Sequence, residues 1–549
     1  MRVALAQIDA TIGDFRGNLA KIRATVARAK AQGADLVAFP ELAICGYPPL
    51  DLLDRHSFLE SNRRAIEELA SDADGIAIVV GAVVPSPDPR PRPVANAAVA
   101  LADRRVAHVQ CKTLLPTYDV FDEARYFAPA RERRLWRHRG VAIGLTVCED
   151  VWSGEFWADR RPYDLDPVAE LARQGAQLVI NVSASPFEHR KIALREEMLA
   201  DAARRHGLPI VFVNLIGAND ELIFDGASFA VSREGRVHSR LASFAEDFAV
   251  IEPLTPIGVD LPEREHGDTE LLERALILGV HGYMRKQGFE RVVIGLSGGI
   301  DSAVTAHIAT LALGAENVLG VLMPGPFSSQ HSVDDADALA RHLGIESRRV
   351  PIDSIFAAFL ERFSELFGAR DDYGLTQENV QARIRGALLM AVSNFENRIV
   401  LATGNKSELS VGYTTLYGDL IGGVAVIGDV LKRDVYALAR HANRERERIP
   451  WSTIEKPPSA ELRPGQLDQD SLPPYEALDE ILCQVVENGV PPDRVSATGV
   501  DADTLRWVLR ALDRSEYKRR QAPLVLRVSR KAFGAGRRVP IVQRSDWGV

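Results

Sequence analysis

The 549-residue chain is poor in cysteine, with four, and in methionine, with five. Cys45, Cys111, Cys148 and Cys483 stand too far apart for a disulfide framework or a zinc ribbon. None of the twelve histidines falls in His-Glu-x-x-His or Cys-x-x-Cys company, so nothing argues for zinc. Such cysteine usage suits a reducing, cytoplasmic setting. No apolar run approaches the ~18 residues of a membrane-spanning helix, so no membrane partner is expected. Positive charge is not in excess: 66 Lys and Arg against 75 Asp and Glu leave a net charge of −9. That balance argues against a nucleic-acid partner, which calls for a basic footprint. The clusters "RERRLWRHR" (131–139) and "RERER" (444–448) read as solvated faces. The first residues, "MRVALAQIDATIGD", carry an acid at Asp9 and alternate like a strand, unlike a signal peptide. No fixed-period repeat is present.

What is there is an ordinary globular balance, 46% apolar and 26% charged, in a chain long enough for two or more domains. Residues 1 to about 250 alternate short β-branched runs with amphipathic helical patterns. Strands are expected in "RVALAQI", "DLVAFPE", "GIAIVVGAVV", "ANAAVAL", "RVAHVQCK", "VAIGLTVCED", "QLVINVSAS", "PIVFVNLIG" and "GASFAVS", and helices at 17–32, 56–71, 166–174 and 190–206. This is a layered α/β pattern. The Pro-rich, charged passage 252–268 reads as a linker. The expected division is therefore a domain 1–251, a linker 252–268 and a domain 269–549. The second domain starts a new alternation: helix 269–287, strand "VVIGL", loop "SGGIDS", helix 303–313, strand "VLGVLMP", helix 331–343, strand "SRRVPI", helix 378–396 and strand "RIVLATG". That order implies a parallel Rossmann-like sheet with its ligand beyond the C-terminal strand ends. Residues 455–474 are Pro-rich and read as a long functional loop.

Three reactive side chains stand at strand ends in the first half. Glu41 ends "LVAFPEL", Lys112 ends "VAHVQCK" and Cys148 ends "GLTVCED". The acids that follow Cys148, Glu149 and Asp150, would hold its thiol in the protonated form. A converging Lys112 could stabilise the thiolate and a later oxyanion, and Glu41 could take the thiol proton and return it to a leaving amine. Each residue alone has a bland reading as well: a buried cysteine is usually a small hydrophobe, and a Glu or Lys at a strand end is usually solvated. Spacing leaves both open. In the second half, "GLSGGIDS" (295–302) joins a strand to a helix. Its glycines let backbone N–H groups approach a polyphosphate, and Ser297 and Ser302 add hydroxyl donors. Asp301 enters such a site only with Mg²⁺ between it and the phosphates. Without Gly-Lys-Ser/Thr this is no Walker A loop, and a plain strand-to-helix turn is the alternative.

The motifs "FPELAICGYPP", "CKTLLPTYDVFDEARYF", "LTVCEDVW" and "NVSASPFEHRK" resemble the nitrilase superfamily of carbon–nitrogen hydrolases, in its glutaminase subgroup. The resemblance implies an αββα sandwich in which Glu41 (proton acceptor), Lys112 and Cys148 (nucleophile) hydrolyse an amide through a thioester. It also implies that Tyr118, Ser185 and Lys191 hold glutamine, with Glu123 a second acid. Ser-Gly-Gly-x-Asp-Ser resembles the PP-loop of ATP pyrophosphatases, which implies adenylation followed by attack of a nitrogen nucleophile. Gly295, Leu296, Ser297, Gly298, Gly299, Ile300, Asp301 and Ser302 would then cradle ATP.

The stretches "QENVQARIRGALLMAVSN", "LATGNKSELSVGYTTLYGD", "IGDVLKRDVYALA", "KPPSAELRPGQLDQDSLPPYE" and "SEYKRRQAP…RKAFGAGRRVPI" extend the resemblance to the family of glutamine-dependent NAD⁺ synthetases. What it implies is ATP-dependent amidation of deamido-NAD⁺, the last step of NAD⁺ formation. Thr403 and Lys432 would contact ATP, and Asn379, Glu408, Asp419 and Lys518 deamido-NAD⁺. Asp301 and Glu408 would hold Mg²⁺. A homo-oligomer is implied too. The chain departs from the family in lacking a proline before "IGD" and in the apolar "QAPLVLRVSRKAFG", which puts local loop geometry there in question. A GMP-synthetase-like enzyme would need a histidine motif beside its cysteine. A tRNA-thiolating enzyme would need a sulfur carrier in the loop half, which holds only Cys483. A non-catalytic scaffold would have no use for Glu41, Lys112, Cys148, Asp301 and Glu408 together.

Overall fold

The computed structural model describes residues 1–89, 92–154, 156, 163–255, 261, 267–495 and 500–544. Backbone contacts divide the chain into two compact units, Met1–Glu265 and His266–Val549. Most of the expected linker, at 256–260 and 262–266, lies outside the described residues.

The first unit holds two six-stranded sheets. One runs in the order Asp247–Ile251, Val3–Gln7, Leu36–Ala38, Ala77–Pro85, Val94–Ala102, Arg105–Cys111. The other runs Val237–Arg240, Phe229–Val231, Ile210–Asn214, Leu178–Ser183, Val141–Val147, Trp136–His138. Strand alternation decides what packs where. Val3, Leu5, Val79, Ala98 and Ala100 face Ile143, Leu145, Val147, Ile180 and Val213 in a core between the sheets. On the outer face, Ala4, Ala6, Ile78 and Val80 pack beneath Leu19, Ile22 and Val26 of helix Phe15–Ala31 and Ile66 and Leu69 of helix His56–Ala70. Outside the other sheet, Val179, Phe212 and Phe229 meet Leu171 of helix Pro167–Arg173 and Met198, Leu199 and Ala202 of helix Lys191–His206. Successive residues point to opposite faces of a strand, so fully apolar strands are what a sheet covered on both sides requires. The result is the expected αββα sandwich.

The second unit is built on one parallel sheet, in the order Glu346–Arg349, Val318–Leu322, Val292–Gly295, Ile399–Ala402, Val424–Ala425, Leu524–Val525. Numbered along this unit, that is 3-2-1-4-5-6, the doubly wound order in which ligands bind where the winding reverses. The reversal lies between Val292–Gly295, which leads into "SGGIDS", and Ile399–Ala402, which leads into "TGNKSE".

Some elements differ from expectation. "RERRLWRHR" is not a solvated face throughout: Trp136–His138 is an edge strand, Trp136 is buried, and Arg133 pairs with Glu170 at 2.6 Å. Helix Asp353–Phe367 stands between "SRRVPI" and the helix at 378–396, where the sequence pattern predicts no element, and buries only Phe356. The apolar "QAPLVLRV" supplies the sixth strand, followed by Leu526 and Val528 in the interior, so its unusual composition answers burial. Among the described residues no helix is long and apolar enough to cross a membrane.

Candidate active sites

In the first unit, Asp150 draws two strand ends together. Its Oδ1 accepts from the backbone N–H of Thr113 and Leu114 at 2.9 and 2.8 Å, and its Oδ2 from Val147 at 3.0 Å. Lys112 and Cys148 flank these anchors. Glu41 arrives from the strand Leu36–Ala38 and is clamped by Asn96 Nδ2 (2.6 Å to Oε1) and by the N–H of Ala184 (2.8 Å to Oε2). Lys112 Nζ donates to Glu41 Oε1 at 2.9 Å and to Glu123 Oε1 at 2.7 Å, and Tyr47 OH donates to the same Glu123 oxygen at 2.9 Å. Glu41, Lys112 and Cys148 are all buried, as is Glu123. Charges this deep are tolerable only when paired and hydrogen-bonded.

The electrostatics agree with the expectation of a protonated thiol and show that Lys112 does not reverse it. Burial raises the Cys148 thiol well above its usual value, Glu41 raises it further, and the pull of Lys112 toward the thiolate does not offset them. Cys148 therefore rests as a thiol and needs a base at the moment of attack. Its backbone sits at φ +40°, a left-handed conformation that costs a non-glycine residue and recurs at functional turns. Burial also lifts Glu123 to about 7, with Lys112 opposing and Glu41 reinforcing.

The acids beside the cysteine divide their work. Asp150 is structural, as above, whereas Glu149 Oε1 accepts from Tyr118 OH and Tyr163 OH, each at 2.9 Å. Tyr118 itself is half-exposed. Ser185 follows the residue that holds Glu41, and its own backbone is pinned by Asn214: N–H to Oδ1 at 2.8 Å and Nδ2 to O at 3.2 Å. Lys191 lies over the Trp152 ring at 5.3 Å, and its charge reaches Glu149. All three expected amide-holding residues thus surround the buried cluster. Nothing local in the sequence marks Asn96 or Tyr47, and it marks Glu149 only as an acid beside the thiol, not as the partner of two tyrosines.

The second unit holds a cavity of about 610 Å³ at the C-terminal ends of its strands. Its walls include Gly295, Leu296, Ser297, Gly299, Ile300, Asp301 and Ser302, with Thr403, Glu408, Lys432, Asn379, Asp419 and Lys518. In the loop, Ser297 Oγ accepts from the N–H of Gly299 at 3.1 Å and lies 3.1 Å from Ser302 Oγ. Gly298 has φ +77°, and a Cβ there would lie 2.1 Å from the carbonyl oxygen of Ser332. Only glycine fits.

Asp301, in the first turn of helix Ile300–Leu313, bonds Lys432 Nζ through Oδ2 at 2.6 Å, and the same ammonium lies 3.2 Å from Glu408 Oε1. Burial pushes Glu408 up to about 8, Lys432 drawing it down and Asp301 driving it further up. Burial alone would lower the Lys432 ammonium, but Asp301 and Glu408 outweigh it and raise it. Two carboxyl groups thus share one lysine, and the raised Glu408 marks a carboxyl for which a further cation could take the place of the proton. That donor set suits Mg²⁺, which takes one or two carboxylates and completes its shell with water and phosphate oxygens. Among the described residues no group of three or more His, Cys, Asp or Glu is gathered around one point.

Three of the expected dinucleotide contacts, Asn379, Asp419 and Lys518, meet at one loop, while Glu408 stands with Lys432. Thr415 donates through Oγ1 to Asn379 Oδ1 (2.9 Å) and through its N–H to Asp419 Oδ1 (2.6 Å). Lys518 Nζ donates to the carbonyls of Gly412 (2.7 Å) and Thr414 (2.6 Å). Asp419 opens onto the cavity, while the surrounding protein lifts its carboxyl to about 6. The Pro-rich passage forms part of the wall: Lys456 Nζ bonds Asp335 at 2.9 Å, and Glu461 accepts from Ser329 Oγ and Ser332 Oγ, each at 2.8 Å. Arg385, which sequence reasoning passed over, is a further cation on that wall, tied through Nε to the carbonyl of Met323 at 3.0 Å.

Comparison with known proteins agrees with this division. The carbon-nitrogen hydrolase family model matches residues 2–252, and the NAD synthase family model matches residues 272–522. The glutamine-dependent NAD(+) synthetase of Synechocystis sp. is 46% identical over 98% of both chains. That of Thermotoga maritima is 41% identical over 99% of both. A solved glutamine-dependent NAD⁺ synthetase from Acinetobacter baumannii, in complex with adenosine diphosphate, superposes with a TM-score of 0.78 at 37% identity, covering 98% of each chain.

Proposed function

The chain belongs to the family of glutamine-dependent NAD⁺ synthetases, and from that premise we propose how its residues divide the amidation of deamido-NAD⁺. In the first unit the Cys148 sulfur bonds to the carbonyl carbon of the glutamine side-chain amide while Glu41 takes the thiol proton. A base within the buried cluster is needed because the resting thiol is protonated. The ammonium of Lys112 faces the site as the donor for the developing oxyanion. Collapse expels ammonia, which leaves with the proton held on Glu41, and water then hydrolyses the thioester to glutamate. Tyr118, Ser185 and Lys191 hold the amino acid, and Glu149, poised on two tyrosine hydroxyls beside the nucleophile, joins them.

In the second unit the nicotinate carboxylate of deamido-NAD⁺ attacks the α-phosphorus of ATP, and pyrophosphate leaves. Ammonia then attacks the acyl carbon, and AMP leaves with formation of the carboxamide. The loop 295–302 with Thr403 and Lys432 holds ATP, and Asn379, Glu408, Asp419 and Lys518 hold the dinucleotide. Asp301 and Glu408 would hold Mg²⁺, which supplies neutralisation of phosphate charge when bound. Lys432 keeps both carboxylates facing the loop. Arg385 adds a second cation for an anionic ligand.

The observation that carries this reading is one chain holding both an acid–lysine–thiol cluster and a phosphate-loop cavity, in family matches of the same order. The test is direct. Protein with ATP, Mg²⁺, glutamine and deamido-NAD⁺ should yield NAD⁺, AMP, pyrophosphate and glutamate. Formation of ADP and phosphate instead of AMP and pyrophosphate would rule out the adenylating route.

A further inference from the structure

We propose that Asn405 is a positioning residue of the adenylation site, one buried amide that sets the Asp301 and Glu408 carboxylates as a pair. Asn405 is fully buried and is the N-cap of the short helix Lys406–Val411. Its Oδ1 accepts from the backbone N–H of Glu408 at 3.0 Å, fixing the turn from which the Glu408 side chain departs. Its Nδ2 donates to Asp301 Oδ1 at 2.9 Å, across from a different strand end. Asp301 Oδ2 is held independently by Lys432 at 2.6 Å. Each Asp301 oxygen is therefore fixed by one donor and keeps lone-pair capacity for a cation.

The choice of residue supports a role beyond capping. Among the described residues, other side-chain-capped helices use Asp14, Asp166, Ser329 and Asp501, and of these Ser329 also donates to a carboxylate, Glu461 at 2.8 Å on the same cavity wall. Asp and Ser cap about as well as Asn; an aspartate offers no donor, and a serine hydroxyl, which can accept and donate at once as Ser329 does, is one atom shorter than the amide that spans from position 405 to Asp301. At position 405 an aspartate would cap equally and set a second carboxylate against Asp301. The asparagine is thus the residue type that satisfies the helix and the Asp301 carboxylate together.

This inference rests on the proposed Mg²⁺ site, and the experiment separates the two. The full chain is titrated with Mn²⁺ in the presence of a non-hydrolysable ATP analogue, free metal being read by electron paramagnetic resonance. Asn405→Ser keeps a capping oxygen on a side chain one atom shorter, which withdraws the Nδ2 donor from Asp301. It should bind Mn²⁺ about tenfold more weakly, the scale of one lost hydrogen bond to a charged group. The Mg²⁺ concentration for half-maximal ammonia-driven synthesis should rise in parallel. Glutamine hydrolysis should stay near that of the unmodified protein. Mn²⁺ affinity within twofold of the unmodified protein would reduce Asn405 to a cap and overturn the inference. Absence of Mn²⁺ binding by the unmodified protein would overturn the metal reading itself. Should Asn405→Ser not fold, the isosteric Asn405→Asp takes its place and must change Mn²⁺ affinity at least about fivefold, since it also removes the donor. Failure of both to fold would assign Asn405 to the fold alone and equally overturn the proposal.

Discussion

Replacing Lys112 by methionine keeps an apolar stem of similar length and removes the one ammonium bonded to both Glu41 and Glu123. Breaking a buried ion pair from one side costs about 3–5 kcal/mol, because the remaining charge is left uncompensated. Here two carboxylates are left, and the protein has a way to relieve them. Glu123 already sits at about 7, above the ordinary carboxylate range, so the folded state favours its protonated form. A raised carboxyl contributes stability that is complete below its unfolded value, near 4.5, and is lost as pH rises through the folded value. Without Lys112 that value moves up further, so the window extends above 7. The deficit of Lys112→Met should therefore grow with pH by up to about 1.4 kcal/mol per unit. At a slope of about 2–3 kcal/mol per molar urea, the full deficit lowers the midpoint by roughly 1–2 M at pH 8, and by less at pH 6. Adding Glu123→Gln should restore most of the stability, because a neutral amide can still accept from Tyr47. It should not restore glutamine hydrolysis, which lacks its oxyanion donor. Equal stability of Lys112→Met and the unmodified protein at both pH values would refute the electrostatic account of this cluster.

Cys148→Ala should lower glutamine-driven NAD⁺ formation at least about a thousandfold while ammonium chloride still supports synthesis; loss of both in a folded variant would contradict the division of labour. Asp301→Asn should spare glutamine hydrolysis and slow AMP release on the order of a hundredfold, as expected when a charge-stabilising contact is lost; undiminished AMP release would remove Asp301 from the site. Gly298→Ala forces a Cβ to 2.1 Å from the Ser332 carbonyl oxygen at φ +77°. Its KM for ATP should rise about tenfold or more, with the thiol centre unaffected, and an unchanged KM would place ATP elsewhere.

Legibility in the sequence followed locality. Val3–Gln7, Ala77–Pro85 and Val141–Val147 could be read because a β-branched run between turn residues states its own structure. Glu41, Lys112 and Cys148 could be picked out because each sits where such a run stops. The short edge strands Trp136–His138 and Val237–Arg240 could not, since three residues are too few to state a period and four half-buried ones have no alternation. Helix Asp353–Phe367 was equally silent, with one buried residue. Within the sites, what stayed hidden is what acts across distance in the chain. Asn96 reaches Glu41 over 55 positions and Asn405 reaches Asp301 over 104. The two acids after Cys148 looked alike in sequence, and only the fold sends Asp150 to three backbone amides and Glu149 to two tyrosines. Whether Lys112 could hold Cys148 as a thiolate is a balance of burial and the carboxylates Glu41, Glu149 and Glu123 against one cation, and no spacing encodes that balance.

The central claim, that one centre frees the nitrogen the other installs, is tested by following that nitrogen. With glutamine labelled with ¹⁵N in its side-chain amide, ATP, Mg²⁺ and deamido-NAD⁺, mass spectrometry of the dinucleotide product should find the label in the carboxamide. Cys148→Ala supplied with unlabelled ammonium should give unlabelled NAD⁺. NAD⁺ formed by the unmodified protein without the label would contradict the account.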